Sequence, residues 1–492
     1  MKVVVWTAFV IAGAAAFQAP GGRNSAPTPG ALLWTDQCAG CHGTGAAAGR
    51  APNLFDEAWL SRVDDTRMAA AIKKGVHDTE MPAFGSSLTD QQIFFLIQHI
   101  RTQTAAAHPR PAFVSNPDGV EVHSAKQAFR MELVANGLTT PWALAFLPDG
   151  RMLVSERDGR LRTIDHGTLS EPVKGTPAAH VQQDGGYLDL KVHPDYARTR
   201  WIYLAYAEDQ PGYTGRPRIP SMTAIVRGRI NDRNEWVDQS LIFRAPADLY
   251  TTSGSHYGCR MIFDPQGHLF FTLGERGNQA NAQDLKTPLG KIHRVNDDGS
   301  TPADNPFIDT PGAVPTIWSY GHRNPEGLAW DPVTGRLWES EHGPNTADEI
   351  NVIEKGHNYG WAAASKSSLA GIALSALGMD DPIVYFTPTY APAGIAFYTG
   401  SRYPEWKNTS LFVGGLLGQA LRRLEVKGNT VVGQEVLFNQ FGRVRDIVQS
   451  PDGYFYVALQ DPTGIPNPAG GNIWLSASTP GRVVRLMPVN VN

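Results

Sequence analysis

The chain has 492 residues, 42% hydrophobic and 18% charged, with 43 Lys and Arg against 47 Asp and Glu for a formal net charge of −4. That length suits two or three domains, or one large and one small, and the near-neutral balance argues against a nucleic-acid partner, which calls for a basic excess. Fifty Gly and 36 Pro without a fixed repeat exclude collagen and a long coiled coil and suit a loop-rich all-β protein, while three cysteines (Cys38, Cys41, Cys259) exclude a disulfide framework.

The amino terminus reads Met1-Lys2, an apolar run over 3–16 and a small-residue ending, Ala14-x-Ala16. This predicts a signal peptide over 1–16, with a membrane anchor as the alternative. No later run reaches the ~18 apolar residues of a spanning helix. The mature protein is therefore expected to lack a transmembrane segment and to be periplasmic or secreted. Residues 17–29 form an Ala/Gly/Pro/Ser-rich lead-in.

Residues 30–103 have a helical texture. Thr89 and Gln92 resemble a capping box ahead of Ile93, Ile97 and Ile100 at helical spacing. Within this region Cys38-Ala-Gly-Cys41-His42 is a C-x-x-C-H. Two thiols at that spacing form thioethers to the haem vinyl groups, and the adjacent His reaches the iron. A redox C-x-x-C or half of a zinc site is the alternative, but no second C-x-x-C and no βαβ pattern accompany it. Met81, in a Pro/Gly loop (EMPAFG, 80–85), is the expected sixth iron ligand rather than a core residue; a thioether ligand raises the haem potential. With Pro52-Asn53-Leu54 as the following loop, this segment resembles the class I cytochrome c family. Residues 104–128, containing Ala-Ala-Ala-His-Pro-Arg-Pro, read as a linker.

From 129 to 489 the texture is of short β runs. An apolar strand, a Pro/Asp/Gly turn and a second apolar strand recur as WALAFLPDGRMLVSER (142–157), LDLKVHPDY (188–196), CRMIFDPQGHLFFTLGER (259–276), GLAWDPVTGRLWESEH (327–342), GIAFYTGS (394–401) and VRDIVQSPDGYFYVALQD (444–461). Six copies at roughly sixty-residue spacing predict a six-bladed β-propeller rather than a β-sandwich. The expected fold is an all-β six-bladed propeller preceded by a small all-α cytochrome c domain.

The phrases PWALAFLPDGRMLVSER, SYGHRNPEGLAWDP (319–332), ESEHGPNTADEINVIEKGHNYGW (339–361) and GRVRDIVQSPDG (442–453) are similar to the glucose/sorbosone dehydrogenase family, soluble aldose sugar dehydrogenases that use pyrroloquinoline quinone (PQQ) and calcium. The resemblance implies His256 as the base for the anomeric hydroxyl and Glu275 as its carboxylate partner. It places Arg323 beside the quinone oxygen, Asn324 with it on the cofactor, and calcium on the backbone carbonyls of Gly343 and Pro344. Arg443 and Arg445, at i, i+2, point to one face of a strand, and paired guanidiniums suit the three carboxylates of PQQ; two solvated arginines are the alternative.

Three positions depart from the family pattern. Leu417 stands for a cofactor-touching lysine, with Arg422 or Lys427 as candidate replacements. Asp184 stands for a glutamine, and Phe386 or Thr387 for an aromatic wall. Asp348 and Glu349 read as a surface carboxylate pair. The function implied is an exported quinohaemoprotein that oxidises an aldose at C1 to its lactone, passing hydride to PQQ and then electrons to covalent haem c. A soluble cytochrome or the respiratory chain is the expected downstream acceptor. The alternatives are a calcium-dependent propeller hydrolase such as a lactonase, and a non-enzymatic, haem-tethered carbohydrate-binding propeller.

Overall fold

Each copy of the repeated phrase folds as the first hairpin of a four-stranded antiparallel sheet or, in the last, of a five-stranded one. In the computed structural model these hairpins are Pro141–Phe146 with Met152–Glu156, Tyr187–Val192 with Ile202–Asp209, Met261–Phe263 with Leu269–Leu273, Pro325–Trp330 with Leu337–Glu341, Pro392–Phe397 with Ser410–Gly415, and Arg443–Gln449 with Phe455–Gln460. The first strands of consecutive sheets touch one another right round the ring, so they line its axis. The second strands are buried on both faces, as in Met152–Glu156, Leu269–Leu273 and Leu337–Glu341. Sandwiching between neighbouring sheets explains why these strands read as continuous apolar runs rather than alternating ones. At the turn, Gly150, Gly267 and Gly453 all hold a positive φ of 85–90° that L side chains rarely adopt. The result is the six-bladed propeller that the repeats predict.

The ring is closed by both ends of the propeller sequence. Ala128–Thr139 pairs antiparallel with Pro480–Val489, with Met131 opposite Leu486, and joins blade six. Glu121–His123 adds a fifth strand to that blade. An aromatic cluster around Tyr398, Tyr403, Trp406, Phe412 and Phe455 fills the space between blades five and six.

The structure describes residues 27–489 apart from 45–46, 61–62, 64, 216, 345–347, 362, 364–373, 467–471 and 474–475. The expected signal peptide over 1–16 lies outside the described residues. The N-terminal region is helical apart from a two-residue ladder, Gly43–Thr44 with Ala47–Ala48. Its last helix, Asp90–Ala107, opens on the predicted capping box: the Gln92 amide donates to Thr89 Oγ1 and the Thr89 amide to Gln92 Oε1, at 3.3 and 2.9 Å. Ile93, Leu96, Ile97 and Ile100 bury one face of it against Trp34 and Phe55. Helix Pro29–Leu33 crosses this helix at Gly30, where a Cβ would strike the Phe95 carbonyl.

The stretch read as a linker is shorter than expected. Three alanines, strong helix formers, carry the last helix to Ala107, and residues 121–123 already belong to blade six. The helical region rests on the edge of blades four and five, where Gln98 Nε2 donates to Thr387 Oγ1 (3.0 Å) and Arg67 Nη1 to the Val432 carbonyl (3.1 Å). Among the described residues, no helix is long and apolar enough to cross a membrane.

Candidate functional site

A cavity of about 170 Å³ opens at one end of the propeller axis, lined by the loops that lead into the first strands and those that leave the second strands. His256 enters it from the loop between blades two and three, at φ +56°. A left-handed backbone at a non-Gly residue is costly and persists only where the surroundings enforce it. Here Arg276 enforces it, donating to the carbonyls of Ser253 and Ser255 from beneath, with its guanidinium 3.5 Å from the Tyr257 ring centre. Gly274 lets this loop sit close: a Cβ there would strike the His256 carbonyl.

His256 Nδ1 lies 2.9 Å from Glu275 Oε1. The pair is close but misaligned, so Nδ1 makes no well-formed hydrogen bond. Glu275 is itself fixed: its other carboxylate oxygen accepts from the Gly277 amide, and its own amide donates to the Arg323 carbonyl at 2.9 Å. Asn324 lines the cavity opposite, accepting from the Gly258 amide (3.0 Å) and donating to Glu326 Oε1 (3.0 Å). Arg323 is set behind the wall, with Nη1 donating to the His342 carbonyl (3.2 Å) and its guanidinium over Trp361.

The cavity's electrostatics are dominated by three guanidiniums, from Arg157, Arg443 and Arg445. Arg443 and Arg445 both line the cavity, across a break in the ladder register at Arg445, and both are buried, which overturns the solvated alternative. Arg443 donates to Thr463 Oγ1 (2.6 Å) and Arg445 to Glu326 Oε2 (2.7 Å). The Nε of each of the three has no partner. Burial, and then the charge of Arg445, pull Arg443 down to about 9 and lower Arg157 as well. Burial works against the charge of Glu326, but His342 and Arg445 hold its carboxyl below the usual range. Asp184 is open to the cavity yet enclosed by protein, and desolvation, then Glu326, push its carboxyl up. Clustered, mutually repelling guanidiniums, each with an Nε left without a partner, fit a polycarboxylate such as PQQ.

Gly343 and Pro344 follow His342 on the same loop but lie outside the cavity wall. The Gly343 amide donates to Asp348 Oδ1 at 2.8 Å. Asp348 is fully buried and also accepts from Thr389 Oγ1 and the amides of Tyr390 and Ala391. This corrects the reading of Asp348 and Glu349 as a surface pair. Both stand on a strand inside blade four, where Asp348 ties the loop after His342 to blade five.

In the helical region His42 is buried, and its Nδ1 donates to the Pro52 carbonyl at 2.8 Å. That fixes the tautomer whose Nε2 can bind iron. Cys38 and Met81 both pack against the cluster around Trp34 and Leu96. Burial, then Cys41, push the Cys38 thiol up to about 11. Arg50 bridges the two halves of the site, 3.4 Å from Cys41 Sγ and 3.1 Å from Glu80 beside Met81. These residues fit a covalently attached haem with His and Met ligands.

The profile of the glucose/sorbosone dehydrogenases (Glucose / Sorbosone dehydrogenase) matches residues 138–465, about two thirds of the chain. This chain belongs to the glucose/sorbosone dehydrogenase family. It is 38% identical over 353 residues to the aldose sugar dehydrogenase YliI of Escherichia coli, covering 69% of this chain and 92% of that protein. It is 29% identical over 442 residues to quinoprotein glucose dehydrogenase B of Acinetobacter calcoaceticus, covering 73% and 90%. The PQQ-bound form of an aldose sugar dehydrogenase from Streptomyces coelicolor superposes with a TM-score of 0.57 at 28% identity, over 76% of this chain and all of that one. Residues 25–100 match the profile of cbb3-type cytochrome c oxidase subunit III, a cytochrome c region ahead of the family's propeller.

Against the family pattern, the structure corrects the candidate replacements. Leu417 lines the cavity as apolar wall beside Ala391 and Leu416. Neither Arg422 nor Lys427 supplies the missing charge: Arg422 lies over Tyr390 and Phe386 on the side facing the helical region, and Lys427 is exposed at a strand end. The third guanidinium of the cavity, beside Arg443 and Arg445, is that of Arg157. Phe386 and Thr387 form no aromatic wall; Phe386 is packed in the core and Thr387 meets Gln98. Trp142 and Tyr257 are the aromatic residues of the cavity. Sequence reasoning missed Arg157, Glu326 and His342. A signal existed for Arg157, since VSER and TLGER close the first and third repeats and place Arg157 and Arg276 at equivalent strand ends.

Proposed function

We propose that this chain is a quinohaemoprotein that oxidises an aldose at its anomeric carbon to the lactone, in the periplasm or outside the cell. The observation that carries the reading is the convergence, on one cavity, of a carboxylate-backed histidine and three guanidiniums with unpartnered Nε atoms. PQQ, when bound, supplies a two-electron hydride acceptor, and haem c a one-electron acceptor in the same chain. Arg157, Arg443 and Arg445 hold the carboxylates of PQQ through charged hydrogen bonds. Asn324 lines the same cavity and would orient it, while Arg323, set behind the wall at the next position, would add positive charge at longer range where negative charge develops. The Gly343 and Pro344 carbonyls hold calcium, a hard cation suited to oxygen ligands.

His256 does the proton chemistry. Once Nδ1 aligns with Glu275 Oε1, 2.9 Å away, as the donor, Nε2 is the atom left to take the proton of the anomeric hydroxyl as C1 loses its hydride. Atoms balance: the sugar loses one proton to His256 and one hydride, leaving the C1 carbonyl of the lactone. His42 and Met81 bind the haem iron, with Cys38 and Cys41 as its covalent anchors. The test uses full-length protein matured with haem, loaded with PQQ and calcium, to which an aldose is added while the haem spectrum is followed. Reduction of the haem without any dye supports the reading. PQQ that fails to bind, with sugar still retained, would replace it with the carbohydrate-binding alternative.

A further inference from the structure

Blade four holds a buried side-chain cluster that sugar oxidation does not use. Glu339 and Glu341 stand at i, i+2 on strand Leu337–Glu341 and so share one face. Across the ladder they meet Asn351 and Glu349 in register. His322 reaches the same place from the turn before strand Pro325–Trp330. One ligand atom each from His322, Glu339 and Glu341 lie within 4.8 Å of one another. The three residues are 0, 0 and 3% exposed.

The hydrogen bonds around the cluster leave it open toward its centre. His322 Nε2 is engaged with Ser319 Oγ at 2.9 Å; when Nε2 donates there, Nδ1 presents its lone pair, 3.4 Å from Glu341 Oε2. Asn351 Nδ2 donates to Glu339 Oε2 at 3.0 Å. That leaves His322 Nδ1, Glu339 Oε1 and Asn351 Oδ1 buried with no partner. Glu341 and Glu349 face each other within hydrogen-bond reach, carboxylates brought together in the interior repel when ionised, and acceptors left unmade there are costly. A cation at the centre resolves both problems.

We propose that His322, Glu339 and Glu341 bind a divalent transition-metal ion, zinc or manganese, inside blade four. The donor set decides the class: one neutral imidazole with carboxylate and amide oxygens and no thiolate suits these ions, whereas calcium takes oxygen ligands alone. Metal bonds of about 2.0–2.2 Å put two donors on one ion at most about 4.4 Å apart, so the cluster needs only a small side-chain adjustment to close. Its donors are the side chains of His322, Glu339 and Glu341, not the Gly343 and Pro344 carbonyls proposed above for calcium. Its consequence for the cavity runs through Glu341, whose Oε2 accepts from the Arg323 amide at 3.0 Å. The ion anchors the turn that carries Arg323 and Asn324.

The test is a metal count on the full-length, haem-loaded protein, whose Cys38 and Cys41 are blocked as thioethers. The protein is stripped with EDTA, incubated with zinc or manganese in excess calcium, desalted and measured by plasma mass spectrometry, with haem iron and calcium counted apart. The expected result is about one zinc or manganese per chain, falling at least tenfold in Glu339→Gln and in His322→Gln, each with an unchanged haem spectrum. Zinc-edge absorption should report nitrogen and oxygen neighbours at about 2.0–2.2 Å and no sulfur. Should His322→Gln fail to fold, the near-isosteric Glu339→Gln decides alone. Wild type holding less than about a tenth of an equivalent, or Glu339→Gln holding as much as wild type, overturns the proposal; a Glu339→Gln variant that melts higher while wild type holds no metal identifies a shared-proton network instead.

Discussion

At the scale of single residues, the cavity arginines set binding against stability. Arg443 is a base whose folded value is pulled down to about 9 by burial and by Arg445. Its charged form is therefore penalised in the fold, and because a guanidinium stays protonated the penalty is present across the working pH range. Arg443→Met should raise the melting temperature of the cofactor-free protein at neutral pH, by about 1–3 kcal/mol of stability, because it replaces a strained buried charge with apolar volume. The same change should weaken PQQ by roughly 1.5–3 kcal/mol, the worth of a hydrogen bond to a charged group. Calorimetric melting with and without PQQ checks both signs. Asp184 works the other way. Its carboxyl is raised by burial and by Glu326, and when ionised it repels an anionic ligand. PQQ affinity should rise as the pH falls through that raised value, and Asp184→Asn should remove this part of the pH dependence while binding more tightly at neutral pH. Titrations across pH that leave wild type and variant parallel would refute the assignment.

At the scale of elements, the first hairpin of every blade was legible and the outer strands were not. The hairpin has to turn tightly and be apolar on both faces, and both demands leave marks: Pro-Asp-Gly turns such as Pro148-Asp149-Gly150 and runs such as Leu269-Phe-Phe-Thr-Leu273. The outer strands face solvent on one side, so Trp236–Arg244 and Thr430–Phe438 are only partly buried, irregular in pattern, and carry no shared phrase. The haem motif was legible because its chemistry fixes residue type and spacing locally. His256, Arg323, Asn324, Arg443 and Arg445 came from resemblance, and the cavity unites four of them. Arg157, Glu326 and His342 escaped notice because nothing local distinguishes a charged residue at a strand end from one that six blades later enclose. Asp348 and Glu349 misled for the same reason: adjacent carboxylates look solvated until the ladder to Tyr385 and Phe386 buries them. An element-scale prediction concerns the Met81 loop. Met81→Ala should leave the haem covalently attached but lower its potential, since the thioether ligand is lost. Potentiometry on the two proteins reads this, and an unchanged potential would remove Met81 from the iron.

At the scale of the whole molecule, the helical region and the propeller are one chain and share an edge. Gln98 meets Thr387, Arg67 meets the Val432 carbonyl, and Leu60, Arg101 and Thr104 face Tyr385, Phe386 and Arg422 across a cavity of about 110 Å³. A tethered, docked acceptor has an effective concentration that a diffusing one reaches only when abundant. On the proposed function, electron transfer from the loaded propeller to its own haem would therefore be unimolecular. Aldose-driven haem reduction should follow a first-order rate constant that does not change when the protein is diluted tenfold. His256→Ala should slow that reduction by about 10²–10⁴-fold, the contribution of a positioned base, without moving the haem potential. Thr387→Arg, which crowds Gln98 at the docking edge and lies outside the sugar cavity, should slow haem reduction while leaving turnover with an external dye unchanged. Stopped-flow traces at two protein concentrations, with and without dye, separate the cases. A rate constant that scales with protein concentration would mean that one molecule's propeller serves another molecule's haem, and the shared edge would then have no part in the relay.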